Sequence, residues 1–302
     1  KAYAVGLVEG HFVALERTGE IIVDQYGVQP SDGAVQNWVV KAGRLLADDY
    51  AVNQQSILDA DVAHFDESGM RIGGKLNWLH VAATETAVYY TVHAKRGQEA
   101  MDAAGILPRF QGNAVHDHWK SYWSYTHCAH SLCNAHHLRE LRYCEALTGH
   151  FWPLALRRIL VEGQEAVAAA RAAGQTTLEP ARVNALLARY DRQVKNGLAA
   201  CPVRPPNPGR KGRVKQHEAT NLLLRLRDYK TQVWRFLIDW RVPFDNNRAE
   251  RMVRPAKVKL KVIGGFRALG GSTAFCILRS VWETNKPNGI NPFDTLRLAL
   301  EG

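Results

Sequence analysis

Residues 62–93 decide the fold, and they read VAHFDESGMRIGGKLNWLHVAATETAVYYTVH. Three runs within this stretch, 62–66, 76–83 and 87–93, are rich in apolar, β-branched and aromatic residues. Ser-Gly, Gly-Gly and Thr-Glu-Thr sequences, which favour turns, separate the runs. The stretch therefore predicts three consecutive antiparallel strands.

The residues that follow this stretch continue an α/β pattern. Residues 98–107 predict a helix that ends near Gly105 and Pro108, and residues 113–117 are a short apolar run that reaches Asp117. Three strands, a helix and a fourth strand that ends in an aspartate are the element order of a ribonuclease H-like core. We therefore expect an α/β fold in which a ribonuclease H-like mixed sheet has flanking helices and is interrupted by a helical insertion.

Composition divides the remaining chain into segments. Helical spacing of apolar residues fills most of 11–60 and 134–200, and a further helix is expected over 219–239. Residues 201–215 combine prolines with cations, which is typical of a solvated loop. We expect four parts: a helical amino-terminal segment at 1–60, the first part of the ribonuclease H-like domain at 61–140, a helical insertion with a basic Pro-rich linker at 141–240, and the last part of the domain at 241–302.

Three acidic residues stand at informative places in this arrangement. Asp66 and Asp117 lie at the ends of predicted strands, and Glu250 lies in the first turns of a helix predicted after the capping sequence PFDNN. Side chains alternate between the faces of a strand, so Asp66 and Glu67 cannot both point into one site. We choose Asp66 because it shares its phase with Val62, although periodicity alone does not exclude Glu67.

The three carboxylates can hold a pair of divalent cations for phosphoryl transfer on nucleic acid. Hard oxygen ligands suit Mg²⁺ or Mn²⁺, and of two such ions Asp66 would contact both, while Asp117 and Glu250 would each hold one. A chain of this length also contains many chance triples of acidic residues. Spacing alone therefore favours a metal site and unrelated surface carboxylates about equally.

The positive charge of the chain is concentrated in one region. The formal net charge is +10, yet residues 1–60 have a net of −4, and residues 203–267 hold seventeen Lys and Arg against five Asp and Glu. Clustered cations attract a polyanion and favour DNA or RNA binding, although a solvated face or an acidic protein partner would also suit them. The expected DNA-binding residues are Arg251, Arg254, Lys257, Lys259, Lys261, Arg210, Lys211 and Arg213.

Five cysteines without regular spacing indicate reduced thiols in a cytoplasmic protein rather than a secreted disulfide scaffold. Cys128, Cys133 and His136 form a candidate structural zinc site, but paired C-x-x-C knuckles are absent, so buried thiols and ordinary imidazoles are the simpler interpretation. No apolar run is long enough to cross a membrane. The chain begins with Lys1 and shows no signal peptide, and we read it as part of a larger cytoplasmic protein.

The segments around the three acidic residues resemble those of one family. HFDESGMRIGGKLNWLHVAAT at 64–84, AVHDHWKSY at 114–122 and DNNRAERMVRP at 245–255 resemble transposases of the insertion sequence 66 family. The resemblance continues through YGVQPSDGAVQNWV at 26–39 and GINPFDTLRLAL at 289–300. It covers most of the chain apart from the first residues and much of the helical stretch.

The resemblance implies a DDE-type DNA transposase in which Asp66, Asp117 and Glu250 are the catalytic, metal-binding triad. The implied reaction is metal-dependent cutting at the end of a bacterial insertion element, followed by attack of the released 3′-hydroxyl on target DNA. The implied partners are DNA, as element ends and as target, and further copies of the chain, in the cytoplasm at the nucleoid and without a membrane. The alternatives are a ribonuclease H-like nuclease without strand transfer and a catalytically inactive DNA-binding derivative.

Overall fold

A computed structural model describes residues 1–205 and 214–301. The chain divides into two compact units. The first unit combines Lys1–Ala129 with Asn247–Gly302, and the second unit is His130–Asn246. The first unit is therefore built from two separate stretches of sequence.

The described strands form a five-stranded mixed sheet. They are β1 Val62–Ile72, β2 Lys75–Ala83, β3 Val88–His93, β4 Asn113–His116 and β5 Ala129–Leu132. Their order is β3-β2-β1-β4-β5. Strand β2 pairs antiparallel with both β1 and β3, whereas β4 pairs parallel with β1. This order and these directions confirm the predicted α/β fold with a ribonuclease H-like mixed sheet.

Helices occupy much of the rest of the described chain. They are α1 Ala2–Val5, α2 Leu15–Tyr26, α3 Asp32–Leu45, α4 Ala47–Leu58, α5 Gln98–Ala104, α6 Asn134–Thr148, α7 Trp152–Ala172, α8 Pro180–Ala200, α9 Glu218–Asp228, α10 Lys230–Val233, α11 Arg235–Ile238, α12 Asn247–Ile263, α13 Leu269–Asn285 and α14 Pro292–Glu301. A π-helical turn forms at Gly6–Gly10 and a 3₁₀ segment at Lys120–Ser124. In the described part of the chain, no helix combines the length and the apolar character needed to cross a membrane.

Strand β1 contributes to a hydrophobic core on each of its faces. One core contains Phe65 and Tyr122, and the other contains Met70 together with Val253 of α12. The pairing of β1 with β2 is continuous, so odd- and even-numbered side chains of β1 point to opposite faces. Because Met70 is even-numbered and packs with Val253, helix α12 lies on the face to which the even-numbered residues of β1 point. Burial of a side chain such as Met70 stabilises the folded state by about 1.5–3 kcal/mol.

Helix α3 approaches α13 closely in the first unit. Its first turn is capped by Ser31, whose Oγ accepts a hydrogen bond from the backbone N–H of Ala34 at 3.2 Å. Farther along α3, a Cβ atom at Gly43 would lie 3.1 Å from the Cα atom of Ala274. Glycine at this position permits the close contact between the two helices.

The prediction of a single helix over 219–239 is wrong, because the structure divides this region into α9, α10 and α11. The backbone leaves helical geometry at Tyr229 and again at Trp234. The ring of Trp234 is buried in the second unit, where it meets Tyr190 edge-on at 5.4 Å and stacks on Phe236 at 5.7 Å between centroids. Burial of this large aromatic side chain outweighs the continuity of the helix.

Candidate active site

Asp66 and Asp117 belong to adjacent parallel strands. Asp66 lies within β1, opposite Val81 of β2, and not at the end of the strand as the sequence predicts, because β1 continues to pair with β2 beyond it. In the parallel pair of β1 with β4, His64 lies opposite Val115, and Asp117 directly follows β4. Extending this register by two residues brings Asp117 opposite Asp66. The sheet therefore brings two of the three predicted carboxylates side by side.

Glu250 lies in the first turn of α12. Val253, three residues later on the same side of this helix, packs in one core with Met70 of β1. Asp66 and Met70 are both even-numbered residues of a regularly paired strand, so they point to the same face. Glu250 is thus positioned by the helix that covers the face of Asp66.

The ionisation of Asp66 reports the proximity of the other two carboxylates. The pKa of Asp66 is raised from 3.8 to about 7, chiefly by burial and next by the negative charge of neighbouring Glu67. The charges of Asp117 and Glu250 raise this pKa further, whereas the backbone N–H of Glu67, which donates to Asp66 Oδ1 at 2.8 Å, lowers it. Because Asp117 and Glu250 act on the same carboxyl group, the structure brings all three predicted carboxylates into one electrostatic neighbourhood.

The carboxylate of Asp117 is held by a local turn. Its Oδ1 accepts a hydrogen bond from the backbone N–H of Trp119 at 2.8 Å. Such a turn is common for aspartate after a strand, and it fixes the side chain relative to its own backbone. The orientation of the Asp117 carboxylate is therefore defined before any ligand binds.

Glu67, the alternative that periodicity left open, has different surroundings. Its side chain is only 1% exposed, and its Oε1 accepts hydrogen bonds from Arg96 Nε at 3.0 Å and Nη2 at 2.7 Å. Its Oε2 accepts a hydrogen bond from the hydroxyl of Tyr122 at 2.7 Å. Both oxygens of Glu67 are thus engaged on the Phe65 side of β1, while Asp66 points to the side of α12.

Arg96 is a residue that the sequence pattern did not single out. It follows β3 in a short polar stretch, and no local periodicity connects it with β1. Its partner Glu67 lies 29 residues earlier in the chain. Only the pairing of the strands brings the two together, so no motif in the sequence could have indicated the contact.

Four of the predicted DNA-binding residues lie exposed on α12. These are Arg251, Arg254, Lys257 and Lys261. They leave a row of cations on the solvent side of the helix that carries Glu250. Arg210, Lys211 and Arg213 lie outside the described residues.

Lys259 does not belong with these exposed cations. It is only 3% exposed, and its Nζ donates hydrogen bonds to the carbonyl of Val8 at 2.8 Å and to Glu9 Oε1 at 3.2 Å. The spacing of Met252, Ala256 and Lys259 places the lysine on the packed stripe of α12. Buried in this way, Lys259 is not exposed to DNA, in contrast to the expectation from its charge.

The residues of the candidate zinc site have their own contacts within each unit. In the first unit Cys128 is buried, its thiol donates a hydrogen bond to the carbonyl of Tyr125 at 3.4 Å, and burial raises its pKa to about 11. This environment favours the thiol over the thiolate that zinc requires. In the second unit Cys133 Sγ accepts a hydrogen bond from the N–H of Asn246, and the N–H of His136 donates to the Cys133 carbonyl. Zinc binding here stays a prediction.

The raised pKa of Asp66 predicts a pH-dependent stability without added metal. Folding favours the protonated carboxyl, so its stabilising effect is complete below about pH 4 and is lost as the pH rises through about 7. Asp66→Asn should remove this dependence and make the variant more stable than the unmodified chain at pH 8, by about 1–4 kcal/mol. Urea unfolding in a chelator at pH 5 and pH 8 measures the difference. An identical pH dependence for both proteins would contradict it.

Comparison with known families gives a match over most of the chain. The model described as Transposase IS66 family matches residues 2–274, which include β1, β4 and α12. No curated protein matches the chain. The family match covers most of the sequence, and on this basis the chain belongs to the IS66 family of transposases.

Proposed function

We propose that this transposase cuts DNA at the ends of a bacterial insertion element and joins the released 3′ ends to target DNA. In the proposal Asp66, Asp117 and Glu250 hold two divalent cations, Mg²⁺ or Mn²⁺. The observation that carries it is that Asp66 and Asp117 lie on adjacent parallel strands, under the helix that holds Glu250 in its first turn. The raised pKa of Asp66, to which the charges of Asp117 and Glu250 contribute, agrees with this arrangement. Carboxylates whose environments perturb their ionisation in this way are candidates for functional sites.

The donor set fits a hard divalent cation. All three residues offer carboxylate oxygens, which Mg²⁺ and Mn²⁺ prefer, and their mutual repulsion is what a divalent cation would relieve. When bound, a pair of such ions stabilises charge on the attacking and leaving oxygens at a phosphodiester. Asp66 lies beside Asp117 in the sheet and beneath α12, which makes it the residue suited to contact both ions.

The other residues of the site have roles in binding and orientation. The turn that holds Asp117 keeps its carboxylate in place. The exposed cations Arg251, Arg254 and Lys257 would contact the DNA backbone next to Glu250. Because both ends of an element must be cut and joined, we propose that the chain acts on DNA as a homo-oligomer.

Products on defined DNA test the proposal. The chain is incubated with Mg²⁺ or Mn²⁺, a labelled duplex that carries the ends of its own element, and a supercoiled target. We expect metal-dependent cuts that leave 3′-hydroxyls, and labelled strands joined to the target. Cuts without joined products would favour the nuclease, and DNA binding without cuts in either metal would favour the inactive derivative. Either of these two results would overturn the proposed strand transfer.

A further inference from the structure

Glu67 connects the strand that carries Asp66 with two side chains from other parts of the first unit. Its Oε1 accepts two hydrogen bonds from Arg96, and its Oε2 accepts one from Tyr122. The side chain of Glu67 is 1% exposed, and Tyr122 is also buried. Charged hydrogen bonds in such an environment are strong and directional, so they fix the three side chains relative to one another.

Arg96 extends this connection through aromatic contacts. Its guanidinium lies 4.9 Å from the ring centroid of Trp78 in β2 and 4.1 Å from that of Trp119, just after Asp117. Contacts between a guanidinium and an indole ring are attractive. Arg96 thus connects Glu67 with the same Trp119 whose backbone N–H donates to Asp117 Oδ1.

Tyr122 forms a second connection to the same segment. Its ring stacks on His116, the residue that precedes Asp117, with centroids 4.2 Å apart. Burial and the charge of Glu67 raise the pKa of Tyr122 well above its ordinary value, so its hydroxyl keeps the proton that it donates. Glu67 is therefore connected to the segment on both sides of Asp117 in sequence: through Tyr122 to His116 before it, and through Arg96 to Trp119 after it.

We infer that Glu67, Arg96 and Tyr122 form a positioning cluster that fixes the Asp117 segment relative to Asp66, and that Glu67 itself is not a metal ligand. The inference rests on the proposed function of Asp66 and Asp117 as cation ligands. Groups that orient metal ligands change metal affinity by about 10- to 100-fold when they are removed. The cluster acts through the placement of the two aspartates and contacts neither DNA nor cation in the proposal.

Two tyrosines give a matched pair for the test. Tyr122 and Tyr125 are both buried in one core, and each donates its hydroxyl proton to a carboxylate oxygen at 2.7 Å, on Glu67 and on Asp102 respectively. Tyr122→Phe and Tyr125→Phe each remove one hydroxyl and leave the ring. Mn²⁺ binding to the full chain is followed by electron paramagnetic resonance, alongside thermal unfolding and metal-dependent DNA cutting.

We expect Tyr122→Phe to raise the half-saturating Mn²⁺ concentration by about 10-fold, while Tyr125→Phe leaves it unchanged at a similar melting temperature. Equal Mn²⁺ affinity in the two variants would overturn the positioning role. If the unmodified chain itself binds no Mn²⁺, the proposed function fails and the positioning role fails with it. If the unmodified chain binds Mn²⁺ and Tyr122→Phe binds it with the same affinity, only the positioning role is refuted, and the proposed function stands.

Glu67→Gln separates a positioning residue from a ligand. The glutamine carbonyl can accept from Arg96, and its amide can donate to the Tyr122 hydroxyl, so the variant retains the shape of the cluster. We expect Glu67→Gln to bind Mn²⁺ within about 10-fold of the unmodified chain, and Glu67→Ala to bind it more weakly. Loss of Mn²⁺ binding in Glu67→Gln as complete as in Asp66→Asn would identify Glu67 as a ligand and overturn the inference.

Discussion

Asp66→Asn, Asp117→Asn and Glu250→Gln should each reduce metal-dependent DNA cutting by on the order of 10³-fold or more, because each removes an anionic ligand of the proposed cations. DNA affinity should stay within about two-fold, since none of the three side chains is expected to contact phosphate directly. Cutting rates at saturating Mg²⁺ and gel-shift titrations in chelator measure the two effects separately.

Glu99→Gln is a matched control for Glu250→Gln. Both glutamates lie in the first turn of a helix of the first unit, but Glu99 is exposed at the start of α5. Its variant should cut DNA at the rate of the unmodified chain. Full cutting activity in any of the three carboxylate variants would refute the assignment of that residue to the triad.

Lys259→Met should destabilise the chain by about 3–5 kcal/mol, because it removes one partner of a buried ion pair. Burial raises the pKa of Glu9, and the charge of Lys259 opposes that rise. Without the lysine, the Val8 carbonyl and the Glu9 carboxyl both lose a hydrogen-bond donor inside the protein. Urea unfolding at pH 7 gives the change in free energy of unfolding.

Lys257→Met is the comparison for this variant, since Lys257 lies two residues earlier on the same helix and is exposed. Its stability should change by less than about 0.5 kcal/mol, whereas its affinity for DNA should fall and become less sensitive to salt. The reverse result, a stable Lys259→Met variant with weakened DNA binding, would restore Lys259 to the DNA-binding surface.

The fold was readable from the sequence where local patterns are strong. The three predicted strands all form, and alternating apolar residues and the Gly-Gly turn specify them locally. The predicted Ser-Gly turn is wrong, because Ser68 and Gly69 pair with β2 inside β1, and β3 begins one residue later than predicted. The long region at 219–239 was not readable in the same way. Its division into three helices depends on the burial of Trp234, whose ring meets Tyr190 from a distant part of the chain.

In the candidate site, too, residues within local motifs could be predicted, whereas residues defined by contacts between distant parts of the sequence could not. Motifs around Asp117 and Glu250 singled those residues out, whereas Asp66 was preferred to its acidic neighbour on β1 through the family resemblance. The structure adds that Asp66 points to the face on which α12 packs. Lys259 was misjudged because charge was given more weight than the helical stripe that it shares with Ala256. Arg96 carries no local pattern at all, and its role emerges only from contacts across strands.

The division of the first unit into two stretches of sequence affects how the protein is made. A ribosome synthesises the chain from its amino terminus, so β1 and β4, with Asp66 and Asp117, emerge first. Helix α12 begins only at Asn247, after every residue of the second unit has been translated. A nascent or prematurely ended chain can therefore contain the sheet and two of the carboxylates, yet the proposed centre gains its third carboxylate only after the second unit has been translated.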